Sequence, residues 1–312
     1  MRPSKTRAHK PLPSIPFVKD IDFSPGVPDE ILPGVRRVIA NNPGPFTYTG
    51  TGVYLLGSRN VAVIDPGPDD PAHLDALEAA VGGGRVSHIL ITHTHSDHCG
   101  GARAFAERTG ARIFGFGPHP VREKEMDAPA LDEGADYGFA PDEIIADGAG
   151  LETDEWRIEA VHTPGHLSNH LCFALPAHKA LFTGDHMMGW ATTVVAPPDG
   201  DMSAYLGSLD VLLAREDDIY LPTHGAPIEN PRRFVRAVKA HRLMRDAQIL
   251  EQLKKGHTRI RDMVEAMYAD VDPRLHKAAA LNVLAHLIRL VDAGRAHCDG
   301  EPTLSAEYAL RA

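Results

Sequence analysis

The run Thr92-His93-Thr94-His95-Ser96-Asp97-His98-Cys99-Gly100-Gly101 places three histidines and an aspartate within six residues, directly after an apolar stretch. On extended backbone, residues two apart point to the same side, so His93 and His95 can grip one ion together. Asp97 and His98 lie past a bend, where they can face a second ion. Imidazole and carboxylate suit zinc, and manganese or iron accepts the same ligand types. Four ligand-type residues at this density demand further ligands from elsewhere in the chain, and a fold able to deliver them to one edge.

Candidates of that kind occur in turn-like text at the ends of apolar strands: Thr163-Pro164-Gly165-His166, Thr183-Gly184-Asp185-His186 and Pro222-Thr223-His224-Gly225. The surrounding pattern is α/β. Val53–Leu56 and Val61–Ile64 flank the turn Gly57-Ser58-Arg59-Asn60 and read as a hairpin that ends at Asp65-Pro66-Gly67. Helices are predicted over 71–81, 100–109 and 203–214. Strands are predicted over 88–92 and near 111–116, 156–161, 170–175, 179–183 and 219–222. Strands interleaved with helices imply sheet covered by helix. The proline-rich first 45 residues are expected to wrap the surface or form short edge strands.

Asn230-Pro231 marks a boundary, because asparagine is a favoured N-cap and proline a favoured first helical residue. A long amphipathic helix is predicted to about Lys255. Thr258 is expected to cap a second, to about Tyr268, and Asp272-Pro273 to start a third that ends at Gly294. Strand-like text follows at 295–298 and 302–307. Three helices and a hairpin suggest a winged-helix arrangement, giving a catalytic unit over 1–230 and a winged-helix-like unit over 231–312.

In order and spacing, His93-x-His95-x-Asp97-His98, His166, Asp185 and His224 resemble the metallo-β-lactamase superfamily over about residues 30–230. The resemblance implies an α/β fold, the αββα sandwich, and a metal-dependent hydrolase with two zinc ions. His93, His95 and His166 would hold the first ion, Asp97, His98 and His224 the second, and Asp185 would bridge them. A hydroxide held between the ions would attack, so no serine or cysteine nucleophile is needed. Asp65 matches the superfamily's upstream aspartate, which orients a ligand histidine. Asn42-Pro43-Gly44-Pro45-Phe46-Thr47, His241-Arg242 with Arg245 and Gln248-Ile249, and the text of 278–294 are similar to the group of human β-lactamase-like protein 2. That group adds a small winged-helix domain, and its characterised member is implied to cut single-stranded RNA. Where the group reads Gly-Thr-Asn-Thr-Tyr, this chain has Gly50-Thr51-Gly52-Val53-Tyr54, so a contact made by that asparagine does not carry over.

Among the remaining polar residues, Asp97 is a candidate proton relay as well as a ligand. Cys99 reads as packing. His170 is expected to orient a ligand or hold the leaving group, and His186 to serve local structure or line the site. Trp190, Thr192 and Thr193 are placed to line the pocket mouth. His73, His88, His119, His162 and His178 read as structural.

The fold does not choose between phosphodiesters, thioesters, lactones and β-lactams. Residues 231–312 carry 15 Lys and Arg against 10 Asp and Glu, whereas residues 1–230 carry 17 against 32. A basic appendage attracts a phosphate backbone through counterion release, and the acidic body opposes it. Cleavage of single-stranded RNA is the first expectation, as the resemblance to the group of human β-lactamase-like protein 2 implies. Hydrolysis of a small thioester, lactone or ester is the alternative, and a winged-helix module that recruits nucleic acid or a protein is a third. Only 38 residues separate Asp185 from His224, too few for the large inserted domain of the superfamily's messenger-RNA-processing nucleases. The apolar third helix, 275–290, has few side chains able to read base edges. It is expected to pack beside the active-site mouth or to form a homodimer. No apolar run approaches the roughly 20 residues that span a bilayer. No signal-like segment follows the basic first ten residues, and Cys99, Cys172 and Cys298 form no disulfide framework. A cytoplasmic protein without membrane association is expected.

Overall fold

Val53 and Leu55 alternate with Tyr54 and Leu56, and Val61 and Val63 with Ala62 and Ile64; all are buried. Strands that are apolar on both faces belong between two other layers. The computed structural model describes residues 14–119, 134–269, 272 and 275–311. In it, β1 (Asp29–Leu32), β2 (Val35–Ile39), β3 (Gly52–Leu56), β4 (Asn60–Ile64), β5 (Arg85–Leu90), β6 (Arg112–Gly115) and β7 (Glu143–Ile144) form one sheet in that order. It is antiparallel as far as β4 and parallel from β4 onward. A second sheet contains, in spatial order from one edge to the other, β8 (Gly150–Glu152), β9 (Arg157–His162), β10 (Leu171–Leu175), β11 (Ala180–Gly184), β12 (Ile219–Pro222) and β13 (Ile228–Glu229).

The alternation sorts side chains into layers. Tyr54, Leu56, Ala62 and Ile64 meet Leu171, Phe173, Phe182 and Leu221 between the sheets. Val53, Leu55, Val61 and Val63 face outward beneath Leu74 and Leu77 of α1 (Pro71–Val81). The turn of helix α2 (Ser96–Cys99) then leads into α3 (Ala102–Thr109), whose Phe105 joins that layer. On the other side, Cys172, Ala174 and Leu181 lie under Tyr205 and Leu209 of α4 (Met202–Ala214) and Phe234 and Val235 of α5 (Pro231–Lys254). Each large apolar side chain contributes roughly 1.5–3 kcal/mol on burial, and a one-residue slip would send each set to the wrong layer. The result is the expected αββα sandwich.

α5 serves two cores. Its first half packs on the sandwich, while Ile249, Leu250 and Leu253 join α6 (Ile260–Met267), α7 (His276–Asp292) and the antiparallel pair β14 (Ala296–Cys298) and β15 (Tyr308–Leu310). The apolar face of α7 is buried within the chain, against α5, α6 and β14, and Ala285 reaches the sandwich core.

Several local expectations are corrected. β2 lies inside its sheet, between β1 and β3, rather than at an edge. The helix expected over 100–109 is α3, and the separate turn of helix α2 before it, where His95 O accepts from both His98 N and Cys99 N, adds to that expectation. Asn230 does not cap with its side chain: its backbone is left-handed at φ 55, and its carbonyl takes Arg233 N and Phe234 N. Thr258 does not cap α6, which Arg259 precedes; its carbonyl accepts Tyr308 N. The strand expected at 302–307 lies at 308–310, where Tyr308 is buried and pairs with Cys298. Pro273, expected to start the third helix, falls outside the described residues. β7, β8 and β13 were not anticipated. Among the described residues no helix is long and apolar enough to cross a membrane.

Candidate metal centre

The expected ligands leave strand ends on one edge of the two sheets. His93 and His95 follow β5, Asp97 and His98 ride on α2, and His166, Asp185 and His224 follow β9, β11 and β12. Two of these turns require glycine. Gly165 has φ +137, and a Cβ there would fall 2.3 Å from Tyr205 Cα. Gly184 has φ +48, and its Cβ would meet His170 Nε2 at 2.7 Å. Both pack too closely for any side chain, which draws His166 and Asp185 inward.

All seven residues converge. His95 Nδ1 lies 2.9 Å from His93 Nε2 and 3.0 Å from His166 Nε2. Asp97 Oδ2 lies 3.1 Å from His224 Nε2 and 3.4 Å from His98 Nε2. Asp185 stands between the two groups: its Oδ2 is 3.8 Å from His166 Nε2, and its Oδ1 is 3.6 Å from His98 Nε2 and 3.5 Å from His224 Nε2. Three sets, His93/His95/His166, His93/His98/Asp185 and Asp97/His98/His224, each bring their donor atoms within 4.8 Å of one another and could hold a metal ion.

The far side of three of the rings is fixed. His98 Nδ1 meets Asp65 Oδ2, His166 Nδ1 lies 2.6 Å from Val194 O, and His224 Nδ1 lies 3.2 Å from Gly50 O. Burial, reinforced by neighbouring rings, pushes His93 well below the ordinary histidine range and His95 down to about 3. Both are therefore neutral, with a lone pair to offer. Burial alone would raise the proton affinity of Asp97 and Asp185, but His98 and His224 outweigh it and hold both carboxyls low. Burial works against charge on His98 and His224 too, yet the adjacent carboxylates raise both. This half of the cluster attracts positive charge.

His98 Nε2 and Asp185 Oδ1 are buried and have no hydrogen-bond partner. Leaving such groups unsatisfied costs about 1–3 kcal/mol each, and a divalent ion between them removes that cost. The donor set therefore fits a metal.

Other expectations divide. His170 orients rather than lines: its Nε2 accepts from Asp185 N at 3.2 Å, and its Nδ1 lies 2.9 Å from Thr163 Oγ1. His186 is fully buried beside the His170 and Tyr205 rings. Thr193, expected at the mouth, is buried and donates to Asp185 O and His186 O at 2.7 and 3.0 Å. Cys99 packs in the core beneath α1, as expected. Gly52 has its own reason: a Cβ there would lie 2.8 Å from Thr223 O, so the backbone beside His224 leaves no room for the group's asparagine.

A cavity of about 320 Å³ opens beside His95, Asp97, His166 and Asp185. Pro45, Phe46, Leu167, Met188, Trp190 and Val194 supply apolar walls, with Thr192 among them, and Trp190 stacks on Tyr48 at 4.7 Å. Arg242, Arg245, Tyr268, Ala278 and Asn282 close it from the C-terminal helices. The sequence pointed to Trp190 and Thr192 and to the third helix beside the mouth, where Ala278 and Asn282 stand, but not to Arg242, Arg245 and Tyr268 as lining, although His241-Arg242 and Arg245 stand in the run that carried the group resemblance.

Comparison with known proteins agrees with this architecture. Residues 49–224 match the metallo-beta-lactamase superfamily, and residues 260–302 match the beta-lactamase associated winged helix domain. An atrochrysone carboxyl ACP thioesterase of Aspergillus chevalieri is 31% identical over 271 residues, covering 82% of this chain and 80% of its own. A lactamase-like protein of Pestalotiopsis fici is 27% identical, covering 88% of this chain and 83% of its own. Among solved structures, a metallo-beta-lactamase family protein from Thermus thermophilus superposes with TM-score 0.72 at 25% identity, over 90% of this chain and 100% of its own.

Proposed function

Because the chain belongs to the metallo-beta-lactamase superfamily and, with thioesterases among its relatives, is a hydrolase, we propose that it is a dinuclear zinc enzyme that hydrolyses an acyl thioester. In this reading residues 1–230 form the catalytic unit, and residues 231–312 close one wall of its cavity. The observation that carries it is the lining: an apolar chamber opens directly beside the ligand cluster, which suits an acyl chain with its carbonyl at the cluster. The thioesterase from A. chevalieri supports the same substrate class. Single-stranded RNA is the second reading. A groove that tracks a polyanion needs cations spread along it, whereas the described lining of this cavity offers Arg242 and Arg245 at one wall.

His93, His95 and His166 would hold one ion and Asp97, His98 and His224 the other, with Asp185 between. When bound, such ions lower the pKa of coordinated water to about 7 and polarise the carbonyl under attack. The chain supplies the rest. The apolar walls keep bulk water from the acyl group. Asp97, held ionised by His98 and His224, accepts the proton of the attacking water and passes it to the sulfur as the C–S bond breaks. The products are a carboxylic acid and a thiol.

The test is a substrate panel on metal-quantified protein: a thioester, a lactone, a bis-aryl phosphodiester and single-stranded RNA, with His98→Ala as control. Thioester turnover that the variant loses is expected. RNA cleavage without thioester turnover, also lost in the variant, would transfer the assignment to RNA.

A further inference from the structure

The C-terminal wall of the cavity carries two cations that no carboxylate among the described residues balances. Arg242 is only 3% exposed, and its guanidinium meets Thr193 O, Asn282 Oδ1 at 3.3 Å and the Tyr205 ring at 5.2 Å. Arg245 donates to Gln248 Oε1 at 2.8 Å and lies 4.4 Å over the Tyr268 ring. In both, Nε is buried without a partner, and neither pairs with a carboxylate among the described residues. The nearest acid in sequence, Asp246, is committed to His286 and Arg289. The carboxylates that line the same cavity, Asp97 and Asp185, are engaged by the ligand histidines. His241, next along the wall, has its proton affinity pushed down to about 3 by burial and by these two guanidiniums.

Buried charge is normally paired, because an isolated ion away from water is costly. Arg242 is such a charge and Arg245 is half-buried with its Nε shut away; facing the cavity with no described carboxylate opposing them, they define a place for an anion, and their planar forks match carboxylate and phosphate oxygens. We propose that Arg242 and Arg245 form an anion-binding end of the cavity, so that its substrate carries a second, negatively charged group besides the scissile carbonyl. This deepens the thioesterase reading and rests on it for the word substrate. Arg242, fixed by Thr193 and Asn282, supplies field. Arg245, held by Gln248 and Tyr268 alone, makes the contact. The anion is either a carboxylate on the acyl chain or a phosphate on the thiol.

Calorimetric titration of the zinc-loaded protein separates these sources. Adipate is compared with hexanoate, which lacks the second carboxylate, and 4′-phosphopantetheine with pantetheine. One member of at least one pair should bind about tenfold more tightly than its neutral-ended partner, the effect of one charge-assisted contact. Adipate preference puts the anion on the acyl chain, and phosphopantetheine preference puts it on the thiol. Arg245→Gln should bring that preference to within about twofold, while Arg245→Lys keeps part of it. A thermal midpoint equal to that of wild type shows that the variant is folded. Absence of preference in both pairs, or a preference untouched by Arg245→Gln, overturns the proposal even if thioesters are hydrolysed. An Arg245-dependent preference without thioester turnover upholds the anion site and removes the thioesterase reading instead.

Discussion

His98 Nδ1 lies 2.8 Å from Asp65 Oδ2, with both side chains shut away from solvent. The same carboxylate accepts Thr92 N at 2.8 Å, Thr92 Oγ1 at 2.7 Å and Thr223 Oγ1 at 3.2 Å. Asp65 itself sits at φ 51, a conformation that residues other than glycine adopt only where the surroundings hold them. One side chain thus ties together the ends of β4, β5 and β12 and turns His98 Nε2 toward the cluster.

Asp65→Asn should weaken metal binding by about 10–100-fold, the usual cost of losing the partner that orients a ligand imidazole. Competition with a chromophoric chelator measures this. Asp65→Ala also strands a buried partner and should lower stability by about 3–5 kcal/mol in denaturant unfolding. Unchanged metal affinity in the asparagine variant would show that the carboxylate does not orient His98.

The two halves of the cluster should load separately. Metal analysis is expected to find two equivalents in the native protein. His95→Ala should lose the ion shared with His93 and His166, and His224→Ala the ion shared with Asp97 and His98. Chelation should lower the thermal midpoint, and zinc should restore it, since free metal at a thousand times its Kd stabilises by about 4 kcal/mol. A midpoint indifferent to chelator would count against any ion at His98 Nε2 and Asp185 Oδ1.

Asp97 has a double assignment as ligand and proton relay, and Asp97→Asn separates the two. With metal content restored by excess zinc, kcat should fall by about 10²–10⁴, the range of a lost general base. Full turnover at full occupancy would leave Asp97 as a ligand alone.

Acid should destabilise the wall that α5 contributes. The unfolded chain protonates His241 near 6.5, whereas burial and the adjacent guanidiniums delay this to about 3 in the fold. Stability linked to neutral His241 is complete above pH 6.5 and is lost as pH falls from 6.5 toward 3. His241→Gln should therefore flatten the decline of the melting temperature over that window relative to wild type. Metal loss contributes to both curves, so the difference isolates His241; identical slopes would refute the assignment.

Much of this protein can be read along the chain, because the signals are local. The apolar runs Val53–Leu56 and Val61–Ile64 about the turn Gly57-Ser58-Arg59-Asn60 name a hairpin, and the spacing of His93, His95, Asp97 and His98 names a ligand loop. The glycine turns before His166 and Asp185 mark where further ligands leave their strands. Strands of two or three residues such as β7, β8 and β13 carry no period to detect, and Asn230 shows that a favoured capping residue need not cap once its backbone is left-handed. Asp65 acquires its role only when β5 and β12 arrive beside it. Arg242 and Arg245 read in sequence as part of a basic appendage and of the run that carries the group resemblance. Packing of α5 and α7 on α4 buries the first, brings both against the cavity and leaves them unopposed. Periodicity and turn chemistry belong to neighbours in sequence, whereas a cavity and the balance of charge around it are sums over residues that only folding brings together.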